Sequence, residues 1–369
     1  MRAWAAALLL APAVGLAGGP PLDEIRQAFV RHGLHAPDGA ALEGLVASGL
    51  AEGLRRIDPH ARWFPAADYA REQADDAGVG VGAALARWGE RLVLAPYGEG
   101  ALARQGVTAP VALASIDGKP VAALSLREAA GRLAGAPGST VRLALAAGEG
   151  GVVRELTVPR EPYRALSVES AEEVGHPVIR VRGFVTRETR TLLALAVQGL
   201  PGGRGPLVLD LRDCPGGDLF EALDSAGLFL PEGTPLGETR DRGGRRQVYA
   251  APGGTKVRGG SVVLWVGPGT ASAGEVFAGV LRHHGAARLV GERTFGKCSS
   301  QTDLRLSDGS VLRLTNREVV LPGGESCSGA GLEPDSPVGR EGLLDGAALL
   351  RLSGKWGHSG FSTTSNAPP

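Results

Sequence analysis

The feature that most constrains the fold is a series of short, continuously apolar runs between residues 164 and 335. They lie at residues 178–181, 207–211, 261–266 and 287–290, and stretches with helical periodicity alternate with them at 187–198, 219–228 and 273–284. A strand without polar alternation is buried on both faces. Such strands alternating with helices predict an α/β fold, in which helices cover both faces of the sheet.

Three other regions surround this predicted core at residues 161–338. Residues 18–76 carry apolar side chains at spacings of three and four, which predicts an N-terminal helical region. Residues 77–160 contain short β runs separated by glycines, with a helix at 125–133, and predict a small, partly open barrel. Residues 339–369 are interpreted as a partly disordered C-terminal extension, because residues 359–369 are polar with no apolar periodicity.

The first residues are typical of an export signal. Met1-Arg2 is followed by an uncharged apolar stretch at residues 3–16 and by the small-residue cleavage pattern Gly15-Leu16-Ala17. Fourteen apolar residues are too few to cross about 30 Å of hydrocarbon as a helix. We therefore expect a signal peptide at residues 1–17 and an exported protein, periplasmic or extracellular, whose mature form does not span the membrane.

Composition excludes several classes of function. Lys+Arg and Asp+Glu both number 39, so the formal net charge is zero, which argues against nucleic acid as a partner. The seven histidines lack metal-ligand spacing, so the sequence does not support a metal site. Three cysteines do not make a disulfide framework in a chain this long, but one pair can form in an oxidising compartment.

Ser272 lies where the strand predicted at 261–266 turns into the helix predicted at 273–284. It occupies the N-cap position, and Glu275 three residues later is typical of a capping box. The same position puts a hydroxyl at the positive end of a helix dipole, beside backbone N–H groups that could form an oxyanion hole. Both interpretations, a helix cap and a nucleophile, are open at this point.

A nucleophilic serine needs a base within hydrogen-bonding distance. His283 and His284 follow Ser272 on the same predicted helix, roughly 16–18 Å away, and are excluded. Lys297 follows the strand predicted at 287–290 and is the better candidate. The chain has four lysines against 35 arginines, and an ammonium can lose its proton on desolvation whereas a guanidinium cannot. An ordinary surface lysine is the alternative.

A second glycine turn follows the apolar run at 207–211. Gly216 and Gly217 either form a structural tight turn, or one of them directs its N–H toward the carbonyl oxygen that Ser272 attacks. In the second case the amide of Ala273 would be the other donor.

Together these segments resemble the carboxyl-terminal processing peptidases, or tail-specific proteases. The resemblance rests on TASAGE at 270–275, on Gly296-Lys297 with the lysine 25 residues after the serine, and on Gln301. It covers about residues 22–338. Further matching segments, in chain order, are IDPH at 57–60, GVGV at 78–81, IDG at 116–118, APGSTV at 136–141, DLR at 210–212, PGG at 215–217, SDGS at 307–310 and GLEPD at 331–335.

The resemblance implies a serine endopeptidase with a Ser/Lys dyad. Ser272 would be the nucleophile and Lys297 the general base, held in place by Gln301. The oxyanion hole would be formed by the amide of Ala273 with that of Gly216 or Gly217. The implied fold class is α/β, with a crotonase-like (ClpP/crotonase type) peptidase core at 161–338.

The same resemblance makes residues 77–160 an inserted PDZ-like, β-rich domain that binds substrate C-termini. Gly78, Val79, Gly80 and Val81 would form its carboxylate-binding loop. The implied partners are protein or peptide substrates with unstructured C-termini, and an adaptor or regulator is left open. No cofactor is implied.

The chain departs from the family pattern at three positions near the site. Residue 274 is Gly where Ser is common, residue 298 is Cys where Gly usually follows the lysine, and residue 214 is Cys where Asn is common. Cys214 and Cys298 could pair with each other, or one of them with Cys327, and so control activity. Buried, inert thiols are the alternative.

Two other functions compete with peptidase activity. A catalytically silent PDZ-type scaffold would bind exported C-termini, but such a descendant is expected to have lost Ser272, Lys297 or Gln301. Penicillin-interacting enzymes, which also use Ser and Lys, need Ser-x-x-Lys on one helical turn, and residue 275 is Glu.

Overall fold

The chain forms two compact units, which we describe separately. A computed structural model describes residues 19–35, 38–74, 78–88, 91–98, 100–146, 153–163, 166–200, 205–253, 257–258, 262–339, 341–355 and 362–363. The first unit combines Met1–Gln73 with Gln301–Asn316, and the second combines Ala74–Ser300 with Arg317–Pro369. The signal peptide predicted at residues 1–17 lies outside the described residues.

Short helices form most of the first unit, as the spacing of apolar residues predicts. Its core contains Phe29 and Leu54 together with Leu312 and Leu314 from the later segment. The region also contains a strand that the sequence analysis missed, and this strand pairs with residues 311–313. The elements are α1 (Leu22–His32), α2 (Gly39–Glu43), a 3₁₀ turn (Ala47–Gly49), α3 (Leu50–Ile57), β1 (Arg62–Phe64) and α4 (Ala66–Ala74).

Asp58 explains the IDPH segment of the first unit. It caps the end of α3, and its carboxylate accepts hydrogen bonds from His60 N at 2.9 Å and Thr315 N at 2.7 Å. The carboxylate therefore joins the helical segment to residues 301–316 of the same unit.

A β-rich segment opens the second unit. Its main sheet has the strand order β3-β4-β5-β7-β8, with β6 on β5, and β2 pairs separately with β9. The helix predicted at 125–133 is confirmed as α6, which starts with a Ser125–Glu128 capping box. The elements are β2 (Gly78–Gly80), β3 (Ala83–Trp88), β4 (Arg91–Pro96), α5 (Ala101–Arg104), β5 (Val111–Ile116), β6 (Lys119–Pro120), α6 (Leu126–Leu133), β7 (Thr140–Ala146), β8 (Val153–Pro159) and β9 (Glu161–Tyr163).

The rest of the chain alternates strands and helices. The strands and helices predicted from 178 to 290 are all present, with ends that differ by a few residues. The elements are β10 (Val168–Glu173), β11 (His176–Val181), α7 (Thr189–Gly199), β12 (Leu207–Asp210), α8 (Leu219–Ala226), β13 (Pro235–Asp241), β14 (Arg246–Ala250), β15 (Val257–Arg258), β16 (Val262–Val266), α9 (Ala273–His283), β17 (Ala287–Gly291), β18 (Ser299–Arg305), β19 (Val311–Val320), β20 (Ser336–Pro337), α10 (Gly346–Gly354) and β21 (Ser362–Thr363).

The central sheet of the second unit has the order β10-β11-β12-β16-β17-β20. From β11 to β20 neighbouring strands are parallel, and β10 is antiparallel at one edge. Successive side chains of a strand enter different apolar clusters: Leu209 and Leu264 face one cluster, while Val208 and Val263 face another. Burial on both faces, inferred from the unbroken apolar runs, is therefore confirmed.

The predicted C-terminal extension contains a helix and a short strand. Residues 346–354 form α10, capped by Asp345, and the Trp265 indole donates to Ser353 Oγ at 3.0 Å. β21 lies within the residues expected to be a disordered tail, and it pairs with β15. The helix covers one face of the central sheet through Leu349. Among the described residues, no helix combines the length and apolarity that a membrane crossing requires.

Candidate active site

Ser272 stands at a strained turn between strand and helix. β16 ends at Val266, and the chain reaches α9 through a turn in which Thr270 Oγ1 accepts from Gly267 N at 3.0 Å and donates to Leu211 O at 2.7 Å. Ser272 is the N-cap of α9, with φ 53° and ψ −122°. A non-glycine residue at positive φ stores strain of about 1–3 kcal/mol, which the surrounding contacts must hold.

The glycine turn after β12 touches this strained turn directly. Cys214 O accepts from Ala271 N at 3.0 Å. Gly216 has φ 106°, and a Cβ built on it would lie 2.8 Å from Ser272 Cβ and 2.9 Å from Ala273 N. A side chain at residue 216 would therefore displace the candidate nucleophile, and only glycine permits this approach.

Gly217 is required for a different contact. Its φ is 130°, and a Cβ there would lie 2.3 Å from Phe184 O. The flanking residues bond to the same backbone: Phe184 N donates to Gly216 O at 2.8 Å, and Asp218 N donates to Phe184 O at 2.7 Å. The turn is thus fixed on one side by residue 184 and on the other by the strained turn at Ser272.

The segment carrying Lys297 reaches the same place. Phe295 N donates to Thr270 O at 3.0 Å. Lys297 N donates to Glu275 Oε2 at 2.7 Å, and Ser272 N donates to that same oxygen at 3.0 Å. The two amide nitrogens therefore lie at most 5.7 Å apart, the sum of the two distances. The structure brings the backbones of Ser272 and Lys297 together through one carboxylate oxygen.

Glu275 is fully buried and accepts hydrogen bonds at both oxygens. Besides the two amides on Oε2, its Oε1 accepts from Gly296 N at 2.8 Å and from the hydroxyl of Thr294. The glutamate half of the predicted capping box is present, since Ser272 N donates to Glu275 Oε2. It is not an alternative to the functional interpretation, because the carboxylate that caps the helix also holds the Lys297 segment.

A buried ion pair directly precedes the glycine turn at residues 215–217. Arg212 donates to Asp210 through Nε at 2.8 Å and through Nη2 at 2.6 Å, and its guanidinium lies 5.0 Å from the Trp265 ring centroid. Burial acts to raise the pKa of Asp210, but the charge and hydrogen bonds of Arg212 outweigh it and hold that pKa below its usual value. The DLR segment thus forms a rigid base for the turn.

Two further buried arginines link the central sheet to the β-rich segment. Arg182 pairs with Asp213, and its Nη2 donates to Pro96 O at 2.5 Å. Arg180 Nη1 donates to Thr108 O at 2.9 Å. Both arginines lie on or next to β11, so charged side chains at the end of this strand hold backbone carbonyls of the β-rich segment.

The three cysteines take different states. Cys298 and Cys327 form a disulfide with a Cα–Cα distance of 5.2 Å, and both are buried. Cys214 is a free, buried cysteine, and burial raises the pKa of its thiol to about 12. The alternative in which Cys214 pairs with Cys298 is therefore wrong. The carboxylate of Glu275 and both disulfide sulfurs lie within 4.8 Å of one another, but bonded sulfurs are not thiolate ligands for a metal.

Gln301 belongs to the first unit, where its Nε2 lies 3.5 Å from Thr315 Oγ1. His283 and His284 end α9 at the opposite end from Ser272, as predicted, and His284 Nε2 lies 2.7 Å from Pro235 O.

The predicted carboxylate loop lies in the β-rich segment. Gly78, Val79 and Gly80 form β2, and Val81 is buried. A Cβ on Gly80 would lie 3.5 Å from Leu133 O, at the end of α6. The loop therefore adjoins the helix that packs against β3, the edge strand of its sheet.

Sequence reasoning missed the central role of Glu275. The capping pattern identified its carboxylate as a local cap, but the bonds to residues 294–297 join segments about 20 positions apart. The available signal in the sequence was a glutamate in the first turn of a helix that follows a glycine-rich turn. Chemically, the cluster joins a hydroxyl, the first backbone amide of a helix and the backbone of a lysine. Such a cluster can carry out acyl transfer.

The sequence that carries this cluster is similar to known serine proteases. Residues 177–338 match the family model for peptidase family S41. A probable CtpA-like serine protease of Staphylococcus haemolyticus is 26% identical over 303 residues, which are 81% of this chain and 59% of the relative. The carboxyl-terminal-processing protease of a Picosynechococcus species is 34% identical over 242 residues, 64% of this chain and 58% of the relative.

The fold has a solved counterpart. The structure of a photosystem II D1 C-terminal processing protease matches with a TM-score of 0.60 and 25% identity, and covers 90% of this chain and 96% of that chain. The chain spans about three fifths of the length of the curated relatives named above. The match establishes a mixed α/β fold of the kind that these proteases have.

Proposed function

We propose that this chain is a member of peptidase family S41, whose family model matches residues 177–338, and that it is a serine endopeptidase that cleaves proteins at or near their C-termini. Ser272 is the proposed nucleophile and Lys297 the proposed base. One observation carries the assignment: the amides of both residues donate to the same oxygen of buried Glu275, at 3.0 and 2.7 Å.

The proposed mechanism begins with a neutral lysine amine. The amine takes the proton of the Ser272 hydroxyl while Ser272 Oγ attacks the substrate carbonyl carbon. The π electrons of the carbonyl move to the carbonyl oxygen. The resulting ammonium returns its proton to the leaving amine as the C–N bond breaks. Water, deprotonated by the same amine, then attacks the acyl carbon; the bond from that carbon to Ser272 Oγ breaks, and the ammonium returns the proton to Oγ. Lysine can serve because its ammonium can lose a proton when desolvated.

The tetrahedral oxyanion needs donors next to Ser272. Ala273 begins α9, and the first amides of a helix have no intrahelical acceptor. A Cβ built on Gly216 would lie 2.9 Å from Ala273 N, so the Gly216 turn lies directly beside this amide. We assign the oxyanion hole to the amide of Ala273 with that of Gly216 or Gly217. The partial positive charge of the helix N-terminus favours the developing anion.

Other side chains at the site fit the lysine mechanism better than a thiol or histidine one. The thiol of Cys214 is a poor nucleophile, because its raised pKa keeps it protonated near neutral pH. Both histidines of α9 are at its far end. Gln301 is proposed to help orient Lys297, as the family resemblance implies.

We further propose that the β-rich segment at residues 77–160 is PDZ-like and binds substrate tails. β3 is an edge strand with α6 beside it, which is the arrangement that accepts an extended peptide as an added strand. Gly78, Val79, Gly80 and Val81 would receive the terminal carboxylate. Substrates are then proteins with unstructured C-termini, and an adaptor or regulator could present them.

The disulfide supports export of the protein to an oxidising compartment. Disulfides persist in secreted and periplasmic proteins and are rare in the cytosol. The Cys298–Cys327 disulfide therefore fits the signal peptide proposed at residues 1–17, and we propose a periplasmic or extracellular enzyme.

The function is tested with the purified protein and an unstructured substrate ending in small apolar residues. Ser272→Ala and Lys297→Ala should each lower kcat by about 10³-fold or more, whereas Lys355→Ala, an exposed lysine at the end of α10, should not change it. Full activity of Lys297→Ala would refute the assigned base. Tail binding without cleavage by the wild type would instead favour the scaffold function.

A further inference from the structure

The disulfide lies directly beside the proposed base. Cys298 follows Lys297 in the sequence, and Cys327 comes from the loop between β19 and β20. The Glu275 carboxylate that bonds to Lys297 N lies within 4.8 Å of both sulfurs. The covalent bond thus reaches the same small volume that holds the amides of Ser272 and Lys297.

Backbone hydrogen bonds run alongside the disulfide. Gly329 N donates to Gly296 O at 2.9 Å, and Ser328 Oγ donates to Cys298 O at 3.0 Å. Thr294 Oγ1 accepts from Leu332 N at 2.7 Å while its hydroxyl donates to Glu275. The loop at 327–332 therefore lines the Lys297 segment from residue 294 to residue 298, with the disulfide at one end.

The anchoring of Lys297 is asymmetric. On its N-terminal side Gly296 N and its own amide are held by Glu275. On its C-terminal side, Cys298 has two hydrogen bonds to its carbonyl oxygen, from Ser328 Oγ and from Val319 N at 3.0 Å, and one covalent link. The lysine amine stands at the end of a flexible chain of four carbons. The position of the lysine Cα therefore decides whether the amine reaches a hydroxyl that is itself fixed in place.

We propose that the Cys298–Cys327 disulfide is a positioning element for Lys297, so that full peptidase activity requires the oxidised chain. This rests on the proposed role of Lys297. Displacements of about 1 Å in a reacting group can cost about 10²-fold in rate. Loss of the covalent link frees residue 298 to move, and the adjoining base moves with it, while peptide binding by the β-rich segment is expected to be unaffected.

The redox chemistry balances with a dithiol reductant. The S–S bond breaks, Cys298 and Cys327 each gain a hydrogen, and the two thiols of the reductant become a disulfide; two electrons and two protons are transferred. Because Cys298 and Cys327 are 0% and 2% exposed, exchange requires the loop to open. The bond is therefore expected to form during folding in an oxidising compartment and to persist afterwards, which ties activation to export.

The test compares wild type, Cys298→Ala, Cys327→Ala and the double variant with a tail-peptide substrate. If the bond positions the base, each single variant should match the double, with kcat lowered between about 10-fold and 100-fold and KM within about twofold of wild type. Wild type refolded with dithiothreitol should show the same kcat loss and recover on reoxidation. Thiol titration of the unfolded chain reports the state: one thiol when oxidised, three when reduced.

Several results would overturn the proposal. A double variant with a kcat within about twofold of wild type removes the positioning role. A raised KM at unchanged kcat moves the role to substrate binding, and loss of tail-peptide affinity or of the circular dichroism of the folded chain makes it purely structural. Lys297→Ala run in parallel separates the two hypotheses: if that variant is inactive and the reduced enzyme is fully active, only the disulfide inference fails.

Discussion

Glu275→Gln tests whether one carboxylate organises the nucleophile and the base. The substitution keeps the shape of the side chain but replaces one acceptor oxygen by an NH2 donor. Oε2 accepts from Ser272 N and Lys297 N, and Oε1 accepts from Gly296 N and the Thr294 hydroxyl. The amide is expected to turn its NH2 toward the Oε1 side, because a hydroxyl can rotate to accept whereas a backbone N–H cannot.

In that orientation one buried donor, Gly296 N, loses its acceptor. A buried unsatisfied donor costs about 1–3 kcal/mol, so the free energy of unfolding should fall by about that amount. Repulsion between the new NH2 and Gly296 N should shift the adjoining Lys297. At about 10²-fold per ångström, a shift of about 0.5 Å lowers kcat about tenfold. Urea unfolding and steady-state kinetics measure the two effects separately.

The matched control is Asp345→Asn, which makes the same change at the exposed N-cap of α10. Asparagine caps helices as well as aspartate, so stability and kcat should be unchanged within about 0.5 kcal/mol and twofold. The reasoning would be refuted if Glu275→Gln behaved like this control. A loss of stability with wild-type kcat would show that the carboxylate supports the fold without positioning the reacting groups.

Two further predictions follow from neighbouring features. Gly216→Ala places a Cβ 2.8 Å from Ser272 Cβ, and about 10²-fold loss of kcat is expected, whereas Gly233→Ala, also at positive φ but with nothing within 4 Å, should cost stability alone; equal kinetics of the two variants would contradict this. The lowered pKa of Asp210 predicts acid sensitivity: a depressed folded pKa adds stability that is complete above the unfolded value near 3.8 and lost as pH falls through the folded value. Asp210→Asn should therefore lose about 3–5 kcal/mol at neutral pH and show a flatter decline below about pH 4 in urea titrations; parallel declines would exclude Asp210 as the source.

The parts of the fold that sequence could predict are those with a local signal. The runs at 207–211 and 261–266 are apolar without interruption because clusters lie on both sheet faces, and this left an unambiguous pattern. α10 had a local signal too, Asp345 followed by apolar residues, but it was obscured by the polar residues that follow it. β1 has three residues and depends on its partner strand, so no local pattern announced it.

The site divides in the same way. Ser272 and its cap were readable because a helix N-terminus is a local structure. The pairing of Cys298 with Cys327 over 29 positions, and the bond from Glu275 to Lys297 over 22, are products of the tertiary fold. The position of Lys297 after the strand predicted at 287–290 favoured it as the partner of Ser272, and the family resemblance pointed to the same pair.

The backbone of Ser272 has a consequence for how such a protein can be engineered. Glycine would adopt φ 53° without the penalty that serine bears, so relaxation at this residue favours the fold and removes the hydroxyl. Selection for heat resistance alone would thus favour a chain that lacks the proposed nucleophile. Variant libraries selected for thermal stability should keep residue 272 constant and place their substitutions in other segments.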